Sequence, residues 1–260
     1  MTVGGRSRGA VSRGAVNRGA VNLAVVAALG ALGVGAGWPG PSAGATVTKS
    51  QRAADLRLAE KALITKAALP GIGWTASGST VSNGGWPTGS AGATFASCVG
   101  VPQSVLNVDP PDVVSPAYEN NVEDISVDEE VQAFASPQAA AADVAVSAAA
   151  KTPDCERQLL ASSYGASFTN GLAQAMGSGT SVGTLTVTHQ PAPAYGQESA
   201  AFVIALPLIN GSNHVTVYVD NVSIGRGRLE ASLSFLSAGK RFPAKVVGEL
   251  EKAAARSLRA

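Results

Sequence analysis

The sequence predicts a segregated α+β fold: a mostly antiparallel β-sheet with a C-terminal three-strand meander, and helices packed on it. Three observations carry that expectation. Residues 200–208, 214–224 and 228–236 are apolar, β-branched or alternating runs, separated only by Asn210-Gly211-Ser212-Asn213 and by Gly225-Arg226-Gly227. Three such runs joined by two tight turns read as consecutive hairpins. Helical spacings occupy the chain before them, and residues 243–258 close it as an amphipathic helix with Val246, Leu250 and Ala254 inward.

The elements follow in order. Residues 48–66 are rich in Ala, Leu, Lys, Arg and Glu, with Leu56, Ala59 and Leu63 at helical spacing, and Pro70-Gly71 ends the run. Residues 67–95 are Gly- and Ser-rich and read as irregular surface chain, with Trp74 and Trp86 as buried anchors rather than exposed ligand contacts. Residues 95–101, carrying Cys98, read as a short helical turn, and Asp109-Pro110-Pro111-Asp112 as a rigid link. Residues 115–121 and 125–134 read as a strand pair bending near Asn120-Asn121; in the second strand Ile125, Val127 and Val131 share a parity that Glu129 interrupts. Ser136-Pro137 opens a helix reaching residue 150, with proline at its first position. Thr152-Pro153-Asp154 opens one further helix, with Leu160, Tyr164, Phe168 and Leu172 as its apolar stripe and the glycines of 177–183 as its end. Residues 182–190 read as a strand with Thr184, Thr186 and Thr188 on one face.

The chain is 45% hydrophobic and 14% charged, with 30 Gly and 14 Pro, so a core is available but the chain is loop-rich. Alanine supplies much of the apolar count and buries little surface, which leaves the core to Leu, Val, Ile and the aromatics. Four of the 19 basic residues lie before residue 20 and all 18 acidic residues lie after it, so the remainder is net acidic. No clustered basic face of the kind that binds nucleic acid is present.

Residues 1–45 read as a secretory signal of the general export type. Arg-Gly-Ala-Val recurs at Arg8, Arg13 and Arg18, residues 23–36 are uncharged and apolar, and Ala43-Gly44-Ala45 gives a small-x-small cleavage site. The competing reading is an uncleaved membrane anchor, but the apolar run is short beside a bilayer span of roughly 20 residues. Residues 46–260 then form a single exported α+β domain, secreted or held in the cell envelope. Two cysteines, Cys98 and Cys155, occur in this exported chain, and oxidising compartments favour their pairing. Two free buried thiols or a redox pair are the alternatives; the sequence holds no CxxC, and the spacing suits neither redox chemistry nor zinc.

No catalytic constellation emerges, and no cofactor is expected. Gly179-Thr180-Ser181-Val182-Gly183 matches the nucleophile pattern G-x-S-x-G, yet that chemistry needs a strand before the serine and a helix after it, the reverse of the order here. His214 and Asp220 share a strand face but stand about 20 Å apart at ~3.3 Å per residue. Lys, Arg and His are absent from residues 67–150, where acidic residues gather. Asp124, Asp128, Glu129 and Glu130 are a weak candidate set for a hard cation such as Ca²⁺, although no Gly supplies an EF-hand turn; a solvated strand face is the favoured alternative. Residues 226–260 hold an excess of Lys and Arg that can complement the acidic region, and Arg226 and Arg228 read as solvated turn charges.

Ala-Ser-Cys-Val-Gly-Val-Pro at 96–102, Glu-Val-Gln-Ala-Phe-Ala-Ser-Pro at 130–137, Pro-Asp-Cys-Glu-Arg-Gln-Leu-Leu at 153–160 and Val-Tyr-Val-Asp at 217–220 carry a resemblance. With the strong Ala/Gly/Val bias, they resemble the extracellular sensor-type domains of actinobacteria, including those of PknH-like Ser/Thr kinases, and related envelope lipoproteins. The resemblance spans roughly residues 60–257. It implies an antiparallel sheet with flanking helices, a disulfide joining helical segments, and a cleft for an envelope ligand. This sequence shows no kinase domain, second disulfide or lipobox. The expectation is therefore a non-enzymatic exported ligand-binding or sensor-type domain, taking a small-molecule, lipid or peptidoglycan-related ligand. The rivals are a module docking an envelope protein partner through its acidic strip, and a hydrolase using paired carboxylates.

Overall fold

The computed structural model describes residues 48–80, 86–87, 89–106, 108–175 and 177–259. The expected signal, residues 1–45, lies outside them, and among the described residues no helix is long and apolar enough to cross a membrane. Thr48 opens the described chain as a helix cap. Its Oγ1 accepts from the Gln51 N–H at 3.2 Å, and Gln51 Oε1 accepts from the Thr48 N–H at 2.9 Å, the reciprocal bonds of a capping box. Helix α1 (Lys49–Ala62) follows, and a 3₁₀ turn (Lys66–Ala68) leads to strand β1 (Trp74–Thr80).

The segment expected to be irregular, 67–95, thus contains a strand and the first turns of helix α2 (Gly89–Val99). A run of Trp, Thr, Ala, Ser and Gly carries little strand signal of its own; tertiary pairing supplies the hydrogen bonds instead. A four-residue helix α3 (Gln103–Leu106) precedes strands β2 (Asp112–Val114), β3 (Pro116–Asn120) and β4 (Ile125–Ala133). The strand expected over 115–121 is β3, and the chain before it, beyond the rigid link, adds the short strand β2, with Ser115 between the two. The Ser115 N–H donates to the Glu129 carbonyl, while Ser115 Oγ accepts from the Glu129 N–H at 3.0 Å.

Ser136 caps helix α4 (Pro137–Ala148), accepting from the Ala139 N–H at 3.2 Å. The helix expected from Thr152 onward is divided at Ser162 into α5 (Thr152–Ala161) and α6 (Ser163–Ala175). At this joint a Cβ on Gly165 would stand 2.1 Å from the Leu160 carbonyl oxygen, so only glycine lets the two helices meet. The side chains of Tyr164 and Phe168, half of the expected stripe, lie outside the described residues; Leu160 and Leu172 are buried. The strand expected over 182–190 is likewise two pieces, β5 (Ser181–Val182) and β6 (Thr186–His189). Pro207, which has no N–H to offer, lies opposite the break. The meander comes next as β7 (Glu198–Asn210), β8 (Asn213–Arg226) and β9 (Leu229–Ala238), and α7 (Ala244–Ser257) closes the fold.

All pairings are antiparallel, in the order β1-β3-β4-β9-β8-β7-β5, with β2 beside β4 and β6 beside β7. The fold is α+β, as the sequence predicts. Both faces of the sheet are covered. On the first, Ile125, Val127, Val131, Leu233, Phe235 and Ile224 pack under Ala59 and Ala62 of α1 and Leu250 and Ala254 of α7. On the second, Ile204, Leu206, Val219 and Leu236 pack with Leu160 and Leu172. Helix α4 also crosses the second face: a Cβ on Gly225 of β8 would lie 3.2 Å from Val144.

Cys98 and Cys155 form a disulfide with Cα atoms 5.8 Å apart, joining α2 to α5 across 57 residues of sequence. Removing it with a Cys98→Ala/Cys155→Ala double variant is expected to cost about 4 kcal/mol in the chain-entropy account; urea unfolding of oxidised, reduced and double-variant protein checks this. Glu129 supplies a second test. It is 0% exposed on the first face, opposite Leu233, and accepts from the Ile64 N–H. Burial pushes its carboxyl up to about 8. The native state therefore holds a proton that the unfolded chain releases near pH 4.5, so this group's contribution is full below that pH and is lost as pH rises towards 8. A Glu129→Gln variant is expected to show a flatter fall in unfolding free energy between pH 5 and 8 than the parent, read by denaturant titration at each pH.

Candidate functional site

The second face of the sheet changes character along its length. Near β6 it is apolar, but towards β2 the same parity carries polar side chains: Glu130 and Gln132 on β4, Asn221 and Ser223 on β8, Glu230, Ser232 and Ser234 on β9. The helices do not close tightly over this stretch. A cavity of about 210 Å³ separates the strands from Asp143 and Ser147 of α4 and from Glu156 and Leu159 of α5, with Trp86 and Pro110 also in its wall.

Each wall is held by a different device. Asp143 is fixed by Trp86, whose Nε1–H donates to its Oδ1 at 2.9 Å, while the indole stacks on Phe95 of α2 at 5.1 Å between ring centres. Glu156 follows Cys155 directly, so the disulfide sets the wall from which that carboxyl projects. On the sheet, the Gln132 amide donates to Glu130 Oε1 at 2.8 Å, and the Ser232 hydroxyl donates to Glu230 Oε1 at 3.4 Å. Asn221 Oδ1 accepts from the Ser234 hydroxyl at 3.0 Å.

Four carboxyl groups, Glu130, Asp143, Glu156 and Glu230, line this one cavity, and no Lys, Arg or His stands among the described lining residues. Burial pushes the Glu156 carboxyl up to about 7. Burial also raises Asp143, to about 6, with the Trp86 indole opposing the rise. Glu230 lies well above the usual carboxylate range because it is buried and faces the Asp143 charge. Keeping Glu230 protonated beside Asp143 avoids two adjacent buried charges.

Of the weak cation candidates, Glu130 lines the cavity and the other three do not. Strand alternation sends Asp128 and Glu130 to the second face and Glu129 to the first, while Asp124 sits in the preceding turn with φ 53°. Among the described residues no three acidic, His or Cys side chains gather closely enough to hold a metal ion. The alternative of a solvated strand face is corrected too: Asp128, Glu129 and Glu130 are 7%, 0% and 3% exposed because helices cover both sides of β4. The Ser181 of the G-x-S-x-G match is exposed on the short edge strand β5, after a helix and turn rather than after a strand. His214 and Asp220 share a face without meeting; Asp220 pairs instead with Arg241. Arg228 is not a solvated turn charge, since it donates to the Phe134 carbonyl at 2.9 Å and pairs with Asp55 of α1. Between the acidic and basic regions an exposed Lys240–Glu123 pair forms at 3.4 Å, the kind worth about 0–1 kcal/mol.

No protein-family model matches the chain, and no curated protein matches it. Among solved structures it is similar to the extracellular domain of PknH from Mycobacterium tuberculosis, with 9% identity and a TM-score of 0.34, over 78% of this chain and 94% of that one. At that TM-score the likeness assigns neither a family nor a ligand to this chain.

The Trp86–Asp143 contact gives the site an optical reporter. Indole fluorescence of Trp86 is expected to titrate with a midpoint near pH 6, the value to which Asp143 is raised, and Asp143→Asn is expected to remove that transition while leaving the Trp74 signal in place.

Proposed function

We propose that this chain is an exported, non-enzymatic ligand-binding domain and that the acidic cleft between α4, α5 and the sheet is its binding site. The observation that carries the reading is the cleft itself: hydroxyl, amide and carboxyl groups occupy sheet positions where apolar side chains would have packed against the helices. A purely structural core gains nothing from buried carboxyls, which cost free energy unless paired. Export is supported by the Cys98–Cys155 disulfide, a bond that persists outside the reducing cytosol. The volume of about 210 Å³ is below the ~300–1,000 Å³ of sites that enclose drug-sized ligands. It suits a small polar molecule, or the polar end of a larger envelope component, better than a lipid tail.

Two buried carboxyls facing one cavity, Asp143 and the raised Glu230, favour a second reading, carboxylate-based hydrolysis, in which Glu230 would serve as general acid. Thermal-shift measurement of the exported chain against peptidoglycan fragments and envelope lipids separates the two. Binding predicts a raised melting temperature with at least one component, lost in Asn221→Leu, and no turnover of that component. Stabilisation that is absent throughout, or unchanged in Asn221→Leu, overturns the cleft as the site; turnover abolished by Glu230→Gln establishes the hydrolase instead.

A further inference from the structure

We propose that the cleft takes a small organic cation, a primary ammonium or a guanidinium group, seated between Asp143, Glu156 and Glu230; this rests on the binding-cleft reading above. The lining carries charge of one sign only, contributed by β4, β9, α4 and α5, and no cation of the chain enters it among the described residues. Glu230 is 2% exposed, and its Oε2 accepts no hydrogen bond from the described residues. Burial and the facing Asp143 charge keep this carboxyl protonated while the site is empty. Once ionised, Oε2 needs a donor from the cavity, because none of the described residues supplies one.

The spacing selects the kind of cation. The carboxyls share a cavity but no three of them converge closely enough to grip a metal ion. A guanidinium, with five N–H donors spread over three nitrogens, or a diamine with an ammonium at each end, reaches them separately. Charge-assisted bonds of this type are roughly twice as strong as neutral ones. Binding is then an exchange in which the ligand cation enters, the proton carried by Glu230 leaves to solvent, and the net charge of the buried site is unchanged. Glu156 of α5 and Glu130 of β4 face the same space and add attraction; Trp86 donates to Asp143 and holds it in place.

Isothermal titration of the exported chain with putrescine, agmatine and butane-1,4-diol, at pH 5 and pH 8, tests this. The expected result is that at least one of the two amines binds at least tenfold more tightly at pH 8 than at pH 5, with proton release, while the diol shows no binding. An Asp143→Asn/Glu230→Gln double variant is expected to lose at least tenfold in affinity; Glu156→Gln, on a partly exposed wall, gives a smaller loss and serves if the double variant fails to fold. An amine that binds no better than the diol, or whose affinity is unchanged in these variants, overturns the proposal. An uncharged envelope fragment whose binding is lost in Asn221→Leu, with both amines silent, removes the cation and leaves the cleft as a binding site.

Discussion

A single antiparallel sheet covered on both sides imposes the governing constraint on this molecule. In a sheet with one wet face, the alternate residues of β4, β8 and β9 would sort into core and solvent. Here α1 and α7 occupy one face and α4, α5 and α6 the other, so both parities are enclosed and every polar residue on the central strands must be accommodated inside. Two neighbours on β4 show the two outcomes. Glu129 enters the apolar side, accepts the Ile64 amide and remains a neutral acid. Glu130 enters the other side, where the helices stand off and a cavity remains.

The covalent staple and the cleft belong to one design. Helix α5 is short, and its companion α6 meets it through a glycine contact. The bond from Cys155 to Cys98 fixes α5 against α2, and α2 in turn supplies Phe95, on which Trp86 stacks. Through these contacts the positions of Glu156 and Asp143 are set by the same small cluster of side chains. A cavity bounded in this way keeps its shape without a ligand to prop it open.

Much of the architecture was legible in the sequence, and the site was not. The meander was readable because Asn210-Gly211 and Gly225-Arg226-Gly227 punctuate runs with strong strand preference, and α4 because Ser136-Pro137 is an unambiguous start. Strand β1 was missed because its Gly- and Ser-rich sequence has no pattern, and it exists only by pairing with β3. The division between α5 and α6 was hidden by an unbroken apolar spacing of four. The carboxyls were missed for a different reason. Glu230 shares its parity with Ser232 and Ser234, which reads as a solvent face, and Asp143 is the lone acid of an alanine-rich helix. Nothing in local periodicity announces that α4 lies across that face. The usable signal was the scarcity of charged residues in the helix, where one aspartate among alanines marks a side chain with a particular place to go.

The rims of the sheet have a consequence for the behaviour of the chain in a crowded solution. Its longest strands, of 13, 14 and 10 residues, stand inside the sheet, while the margins are a glycine-bearing strand with a register shift and a two-residue strand broken from its neighbour opposite Pro207. A neighbouring molecule seeking to extend the ladder therefore meets short, interrupted borders rather than a long flat template, the arrangement by which natural sheets resist fibre growth. The irregularities that blurred the pattern of this chain are thus also what keeps its sheet from recruiting further copies.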